Sequence, residues 1–162
     1  TFGSISSEKL CQVSNRARQS IDIPLGCHAH NNTEEAMTKT LQAIRSGCKI
    51  VDTCIRGLGR GGGNCKTEYF ILKMFPLKQL WAMIPKLCQM LKTHHGKTSL
   101  YQFYFALSSA YKFHPDYVQD VEKANMSIDN ELLILETLSE RPDDVKVPHF
   151  DFLISQLARD LS

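Results

Sequence analysis

A short apolar run that ends in a pair of histidines constrains the fold of this chain more than any other feature. Residues 23–32 read IPLGCHAHNN, and the apolar start of this run is typical of a buried strand. His28 and His30 lie two residues apart, so in an extended chain both side chains leave the same face. Such a pair can bind one metal ion, or it can be two ordinary polar residues at a strand end.

The position of the pair in the chain favours the metal site. An amphipathic helix is predicted directly after it, capped by Asn32 or Thr33 and ending at Gly47. The histidines therefore lie where a parallel strand ends and its loop begins. That carboxyl end is where open and closed α/β sheets bind their ligands.

The first part of the chain alternates helix and strand patterns. A helix is predicted to start at Ser6 or Ser7, ahead of a strand at residues 23–30. A second strand is predicted at residues 48–55, where β-branched residues recur. Strand, helix and strand joined by short loops form a βαβ unit, which predicts a parallel sheet.

From Pro76 onward the alternation stops and only helices are predicted. One helix is expected before this point, at residues 67–75. After it we expect helices at residues 77–91, 100–111 and 127–138, a loop at residues 94–99, and a last helix from Pro148 to Leu161. The chain therefore divides into an α/β portion, residues 1–75, and a helical portion, residues 76–162.

Length and composition are those of a globular domain. The chain has 162 residues, of which 43% are hydrophobic and 22% charged, so it can bury a core. No apolar run reaches the roughly 18 residues of a membrane span, and no signal peptide is recognised. We expect no membrane partner, and the lack of an initial methionine predicts a fragment of a longer protein.

Cysteine spacing and charge distribution narrow the class of protein. None of the six cysteines forms a Cys-x-x-Cys pair, which indicates reduced thiols in an intracellular, cytoplasmic protein.

The charges are unevenly distributed along the chain. Residues 69–115 hold six lysines and no acidic residue, whereas acids outnumber bases from Asp116 onward. A surface that binds phosphates or nucleic acid is one interpretation, but a solvated helical face is favoured and no nucleic-acid partner is expected.

A glycine-rich loop follows the second predicted strand. Its segment Gly57-Leu-Gly-Arg-Gly-Gly62 matches Gly-x-Gly-x-x-Gly, the pattern of dinucleotide-binding loops. A dinucleotide site would need an acidic residue about 20 residues further on, and that position lies in the acid-free stretch. Two alternatives remain: backbone N–H groups that bind a carboxylate, phosphate or enolate oxygen, and a tight turn without a ligand.

Several of these motifs together resemble a known family. The chain is similar to the latter half of the metal-dependent aldolases and lyases that are built on a (β/α)8 barrel, a family that includes 4-hydroxy-2-oxovalerate aldolase and 3-hydroxy-3-methylglutaryl-CoA lyase. The shared segments, in family order and spacing, are Gly26-Cys-His-Ala-His-Asn-Asn32, Ser46-Gly47, Val51-Asp52-Thr53, Gly57-Leu-Gly59 and Gly63-Asn64. The resemblance covers residues 1–75, and the helical remainder looks closer to the aldolase branch.

The resemblance implies a fold and a metal site. The fold would be α/β, a partial (β/α)8 TIM barrel with only its last strands, about three of the eight, followed by an all-helical extension. A divalent metal, Mn²⁺ or Mg²⁺, would be bound by His28, His30 and Asn64, and Asp52 would orient a ligand rather than bind. The metal would polarise the carbonyl of a 2-oxo acid and stabilise the enolate left when the carbon–carbon bond breaks. Arg60 stands where the CoA-lyase branch has a reactive cysteine, which argues for the aldolase branch.

The family's metal-binding aspartate and catalytic arginine have no counterpart in this sequence. They lie at the end of the first barrel strand, whereas the only Arg-Asp pair here is Arg159-Asp160, in the last predicted helix. We therefore expect a fragment of a carbon–carbon lyase that is inactive in isolation and binds a dehydrogenase partner, or a second copy, through its C-terminal helices. The alternative is a catalytically incomplete remnant that acts as a protein-interaction module. Tyr101, Tyr104 and Tyr111 are candidates for the family's proton-transferring tyrosine, or else packing residues.

Overall fold

Residues 3–146, 149–150 and 152–161 are described by the structure, a computed structural model of the 162-residue chain. The chain divides into two compact units, Thr1–Phe70 and Ile71–Ser162. The division predicted from sequence, after Phe75, lies five residues further along the chain.

The first unit is built on two short parallel strands. β1 (Gly26–His28) and β2 (Ile50–Asp52) pair in the register Gly26 to Ile50, Cys27 to Val51 and His28 to Asp52. α2 (Ala36–Arg45) supplies the crossover that a parallel pair needs, so the predicted βαβ unit is confirmed. The strands are shorter than predicted, and the sheet among the described residues has two strands rather than about three. Pro24 lacks a backbone N–H, so it cannot extend the β1 ladder backward.

Two predicted helix boundaries are confirmed. Ser6 caps α1 (Ser7–Ser20), since its Oγ accepts a hydrogen bond from the N–H of Lys9 at 3.2 Å. Gly47 follows α2 with φ of +91°, a conformation that glycine adopts without steric cost. Its N–H donates to the carbonyl of Ile44 at 2.9 Å, which closes the end of the helix.

The predicted start of α2 is wrong. Neither Asn32 nor Thr33 caps the helix, which begins at Ala36. Glu34 adopts a left-handed conformation with φ of 57°, and a helix cannot continue through such a residue. The Oδ1 of Asn31 accepts a hydrogen bond from the N–H of Ala36 at 3.1 Å and so satisfies one of the free donors of the first turn.

The core of the first unit lies on one face of the strand pair. Buried Ala29, Ala36, Cys65 and Phe70 form its centre, with Cys27, Met37, Leu41, Ile44 and Val51 packed against it. Because side chains alternate along a strand, the neighbours of Cys27 and Val51 face the other way. Ile50, on that second face, is 56% exposed. Within the described part of this unit, helices therefore cover one face of the strands, and the face that carries His28 and Asp52 is exposed.

The second unit is helical. Its longest helical stretch, α5 (Ile84–Tyr111), is interrupted at Gly96 and packs against α6 (Asp116–Ala124) and α7 (Ile128–Glu140). The remaining helices are α3 (Thr67–Met74), which crosses the point where the units divide, α4 (Leu77–Leu80), α8 (Asp143–Lys146) and α9 (Leu153–Asp160). None of the helices among the described residues combines the length and the apolar character needed to cross a bilayer.

The predicted interruption between two helices is confirmed, but it is shorter than the loop predicted at residues 94–99. α5 consists of two helical segments that meet at Gly96, whose φ of 78° and ψ of 173° are not helical. Leu91 and Leu100, on either side of this break, are both buried, so apolar packing keeps the chain helical on each side of it. The predicted start of the last helix at Pro148 lies outside the described residues, and α9 begins at Leu153.

A buried carboxylate joins α5 to α7. The Oε1 and Oε2 of Glu131 accept hydrogen bonds from the hydroxyls of Tyr101 and Tyr104 at 2.9 and 3.0 Å, and all three side chains are buried. Burial is the main cause that raises the pKa of both tyrosines, and the carboxylate adds to it. Both hydroxyls therefore stay protonated and serve as donors within the helical unit.

Replacing Tyr104 by phenylalanine should destabilise the protein. The change removes one donor from a buried carboxylate, which should lower the free energy of unfolding by about 1–3 kcal/mol. Urea denaturation of the full chain measures the loss. Tyr69→Phe is the control, because Tyr69 is only half-buried and lies outside the Glu131 cluster. Equal losses of unfolding free energy in the two variants would show that the hydrogen bond from Tyr104 to Glu131 does not stabilise the helical unit.

Alkylation of the cysteines should follow the state of their thiols. Hydrogen bonds, the largest effect coming from the Ser46 hydroxyl at 2.9 Å, lower the pKa of Cys11, whereas burial raises the pKa of Cys88 to about 12. Because the thiolate is the reactive form, iodoacetamide at mildly alkaline pH should label Cys11 first and Cys88 last in the folded chain. Peptide mass spectrometry gives the order, and a Cys88 rate as high as that of Cys11 would refute the burial assigned here.

Candidate metal centre

The two predicted histidines lie side by side at the end of β1. Their ring centroids are 4.9 Å apart, and the rings meet edge to face at 83°. Ala29 between them points into the core, so both imidazoles leave the opposite face of the chain. His28 is exposed and His30 is half-buried. This spacing is compatible with both rings binding one ion.

Asn64 is brought to the pair by backbone pairing. It forms an isolated antiparallel bridge with His30, and it is only 8% exposed. Its Nδ2 donates to the carbonyl of Leu58 at 2.7 Å and to the Sγ of Cys54 at 3.5 Å. Its Oδ1 is buried and has no hydrogen-bond partner among the described residues. Because an unsatisfied buried oxygen costs roughly 1–3 kcal/mol, this atom is a candidate ligand.

The donor set is compatible with a divalent cation. The amide oxygen suits Mn²⁺ or Mg²⁺ and the two imidazoles suit several transition metals, and three such ligands would leave positions for water or other oxygen ligands. No group of three or more His, Cys, Asp or Glu side chains that could hold a metal occurs in the described part of the chain. The candidate set therefore depends on the amide of Asn64.

Asp52 lies next to His28 on the neighbouring strand. The two residues are paired in the β1–β2 register, and the Nδ1 of His28 lies 3.3 Å from the Oδ2 of Asp52. A proton on Nδ1 would be donated to this carboxylate, and Nε2 would then be free to bind a metal. Both side chains are well exposed, 44% and 63%, so water competes with the contact. The contact is nevertheless the one that an orienting role for Asp52 requires.

The glycine-rich loop packs tightly against the residues that follow the histidine pair. The N–H of Gly62 donates to the Oδ1 of Asn32 at 3.0 Å, and the carbonyl of Gly63 accepts from the N–H of Asn31 at 2.7 Å. A Cβ on Gly62 would lie 2.7 Å from the Cα of Asn32, so a larger residue does not fit. α3 begins only at Thr67, so the glycines do not open the helix as they do in a dinucleotide-binding loop. These contacts favour the interpretation as a tight turn.

A buried lysine close to this site was missed by the sequence analysis. Lys39 of α2 is 2% exposed, and its Nζ contacts three oxygens: the carbonyl of Gly3 at 2.8 Å, the Oγ1 of Thr33 at 3.1 Å and the Oε2 of Glu35 at 3.2 Å. The lysine lies on the buried stripe of α2, with Ala36, Thr40 and Ala43. A charged residue within that stripe, four residues after a glutamate, was the signal that could have found it.

A cavity of about 330 Å³ borders Asn64. Its lining also includes Asn31, Glu34, Met37, Cys65, Lys66 and Tyr69, and the Nζ of Lys66 lies 5.5 Å from the centre of the Tyr69 ring. The cavity thus combines amide, carboxylate, ammonium and phenol groups with apolar side chains.

Comparison with known proteins identifies a family and several relatives. The sequence model of the HMGL-like family matches residues 1–96. The 4-hydroxy-2-oxovalerate aldolase of Desulfitobacterium hafniense is 39% identical over 57 residues, which are 35% of this chain and 17% of that protein. The proteins of the same name from Burkholderia pseudomallei and Pelotomaculum thermopropionicum are 43% and 44% identical over 54 residues, 33% of this chain and 16% of each relative. The resemblance to this family is confirmed over a segment that spans about a sixth of the curated relatives.

Adding a methyl group at Gly62 should destabilise the loop that carries Asn64. Gly62→Ala forces a Cβ against the backbone of Asn32, and overpacking of this kind costs about 1–3 kcal/mol in free energy of unfolding. Gly26→Ala is the matched control, because its Cβ would meet Ile50 at 3.5 Å, an ordinary contact. Urea denaturation compares the two variants. If Gly62→Ala lowers the free energy of unfolding no more than Gly26→Ala does, the close approach of Gly62 to Asn32 does not stabilise the loop.

Proposed function

We propose that this chain, which belongs to the HMGL-like family, forms part of a divalent-metal-dependent aldolase. Proteins named 4-hydroxy-2-oxovalerate aldolase are about 40% identical to it over 54 to 57 residues. The proposed reaction is therefore a lyase reaction, the cleavage of a carbon–carbon bond in a hydroxy-oxo acid, and the proposed substrate is a small 2-oxo acid. A cytoplasmic location is part of the same proposal.

In this proposal His28, His30 and Asn64 hold the metal, Mn²⁺ or Mg²⁺. When bound, the ion supplies Lewis acidity that polarises a substrate carbonyl and stabilises the negative charge developing as the bond breaks. Asp52 accepts a hydrogen bond from the Nδ1 of His28 and so fixes the ring with Nε2 available to the ion.

The unpartnered Oδ1 of Asn64 is the observation that carries this proposal. The orientation of the amide is set by its Nδ2, which donates to the carbonyl of Leu58. Exchanging the oxygen and the nitrogen would place two acceptors against each other, so the amide cannot rotate to satisfy its oxygen. A buried oxygen that is held in one orientation without a donor is suited to a cation.

We further propose that the chain is inactive by itself. The resemblance implies a metal-binding aspartate and a catalytic arginine, and the sequence holds no counterpart of that pair. Activity would then need these groups from elsewhere in the complete enzyme. The C-terminal helices would contact a dehydrogenase partner or a second copy of the chain.

A second candidate function is protein interaction without catalysis. Phe150 and Phe152 are exposed, the latter by 64%, and their ring centroids lie 6.2 Å apart. Neighbouring exposed aromatic rings are typical of an interface core. In this alternative the chain is a catalytically incomplete remnant, and the histidine pair binds no ion.

Replacing both histidines by alanine should abolish Mn²⁺ binding by the full chain. Titration calorimetry of wild type and His28→Ala/His30→Ala measures the effect, which follows from the loss of two of three proposed ligands. The matched control is His94→Ala/His95→Ala, a neighbouring pair in α5 whose ring centroids are 6.4 Å apart. Retained binding in the first double variant would refute the site, and absence of binding in wild type would favour the interaction module.

A further inference from the structure

The buried ammonium of Lys39 binds two segments that lie beside the histidine pair in the fold. One contact, to the carbonyl of Gly3 at 2.8 Å, reaches a residue that precedes α1. The other two, to Thr33 and Glu35, reach the turn between His30 and α2. An ammonium group has three donors, and these three oxygens use all of them. Lys39 is therefore an anchor rather than a nucleophile.

The segment held by Lys39 packs directly on His30. A Cβ built on Gly3 would lie 3.1 Å from the Cβ of His30 and 3.1 Å from the Nδ2 of Asn32. Gly3 also has φ of +72°, so glycine is the residue that fits both the conformation and the contact. The backbone at Gly3 therefore covers one side of His30, consistent with the half-buried state of that residue, whereas His28 is exposed.

The charge of Lys39 is matched locally. Glu35 lies one helical turn before Lys39, and its Oε2 also accepts a hydrogen bond from the Oγ1 of Thr33 at 2.9 Å. The Thr33 hydroxyl first, and the Lys39 ammonium second, lower the pKa of Glu35. The cluster is therefore an ion pair with a shared hydroxyl, and a buried cation with such partners holds its neighbours in fixed positions.

We propose that Lys39 is a positioning residue for the metal pair: its ammonium holds Gly3 against His30 and thereby fixes the His30 ring beside that of His28. The naming of the ligand as a divalent metal rests on the proposed function. The contact from Lys39 through Gly3 to His30 does not rest on that function, so this contact can be tested without metal.

The metal-free test is the rate at which diethyl pyrocarbonate modifies each histidine of the full chain, measured by peptide mass spectrometry. In Lys39→Met the anchor loses its charge and keeps an unbranched apolar stem, so the His30 rate should rise severalfold while the His28 rate stays at its wild-type value. Lys39→Arg, which retains a cation, should restore the slow His30 rate in part. Lys49→Met is the matched control, since Lys49 is exposed.

The second readout is Mn²⁺ affinity, which a lysine with a merely structural role would not alter. Loss of an outer group that orients a ligand typically weakens metal binding by about 10- to 100-fold, and we expect this in Lys39→Met with partial rescue in Lys39→Arg. A folded Lys39→Met protein with a wild-type His30 modification rate overturns the proposal. Wild type that binds no Mn²⁺ overturns the proposed function instead, and the His30 rates still decide the role of Lys39.

A truncated chain that starts at Ser4 covers the case in which Lys39→Met does not fold. It keeps Lys39 and removes Gly3, so the proposal predicts the same selective rise in the His30 rate. An unchanged His30 rate in this folded variant overturns the proposal.

Discussion

The packing of Ala29 into the core of the first unit determines where the candidate site can lie. Its methyl group is buried in one cluster with Ala36, Cys65 and Phe70. Because successive side chains alternate along an extended chain, its two neighbours must leave on the other face. A register shift by one residue would turn the histidines into the core, where imidazoles without partners are costly. The packing of the hydrophobic core therefore places both histidines on the same face of the chain.

A close backbone approach brings the third candidate ligand to the same place. The loop that carries Gly57 and Gly63 turns with φ of +65° and +83°, and the N–H of Asn64 donates to the carbonyl of Gly57 at 2.8 Å. The loop therefore returns Asn64 to the strand end, opposite His30. A Cβ on Gly57 would clash with the carbonyl oxygen of Asn64, and a Cβ on Gly63 with that of Gly57, so both positions need glycine. Core packing and glycine geometry together assemble a site from segments that are far apart in the sequence.

Local sequence signals predicted the features that depend on local physics. The Ser6 cap, the stop at Gly47 and the parallel pairing of β1 and β2 follow from capping, glycine conformation and periodicity, and the structure confirms them. The late start of α2 depends on the left-handed Glu34. The break between the two segments of α5 is confined to Gly96, so it is shorter than the predicted loop at residues 94–99. Neither is visible in a local pattern. Lys39 shows the same limit, since its carbonyl partner lies 36 residues away in sequence. The predicted metal ligands His28, His30 and Asn64 stay a prediction, although the amide oxygen that supports them became visible only in three dimensions.

Electron spin echo envelope modulation of Mn²⁺ added to the full chain tests whether His28 and His30 bind the ion, because it detects the nitrogen nuclei that coordinate it. We expect modulation from two histidine nitrogens and a spectrum that differs from that of Mn²⁺ in water. Modulation from solvent protons alone would contradict it, and the first unit would then be a βαβ scaffold whose two histidines are ordinary polar residues at the end of a strand.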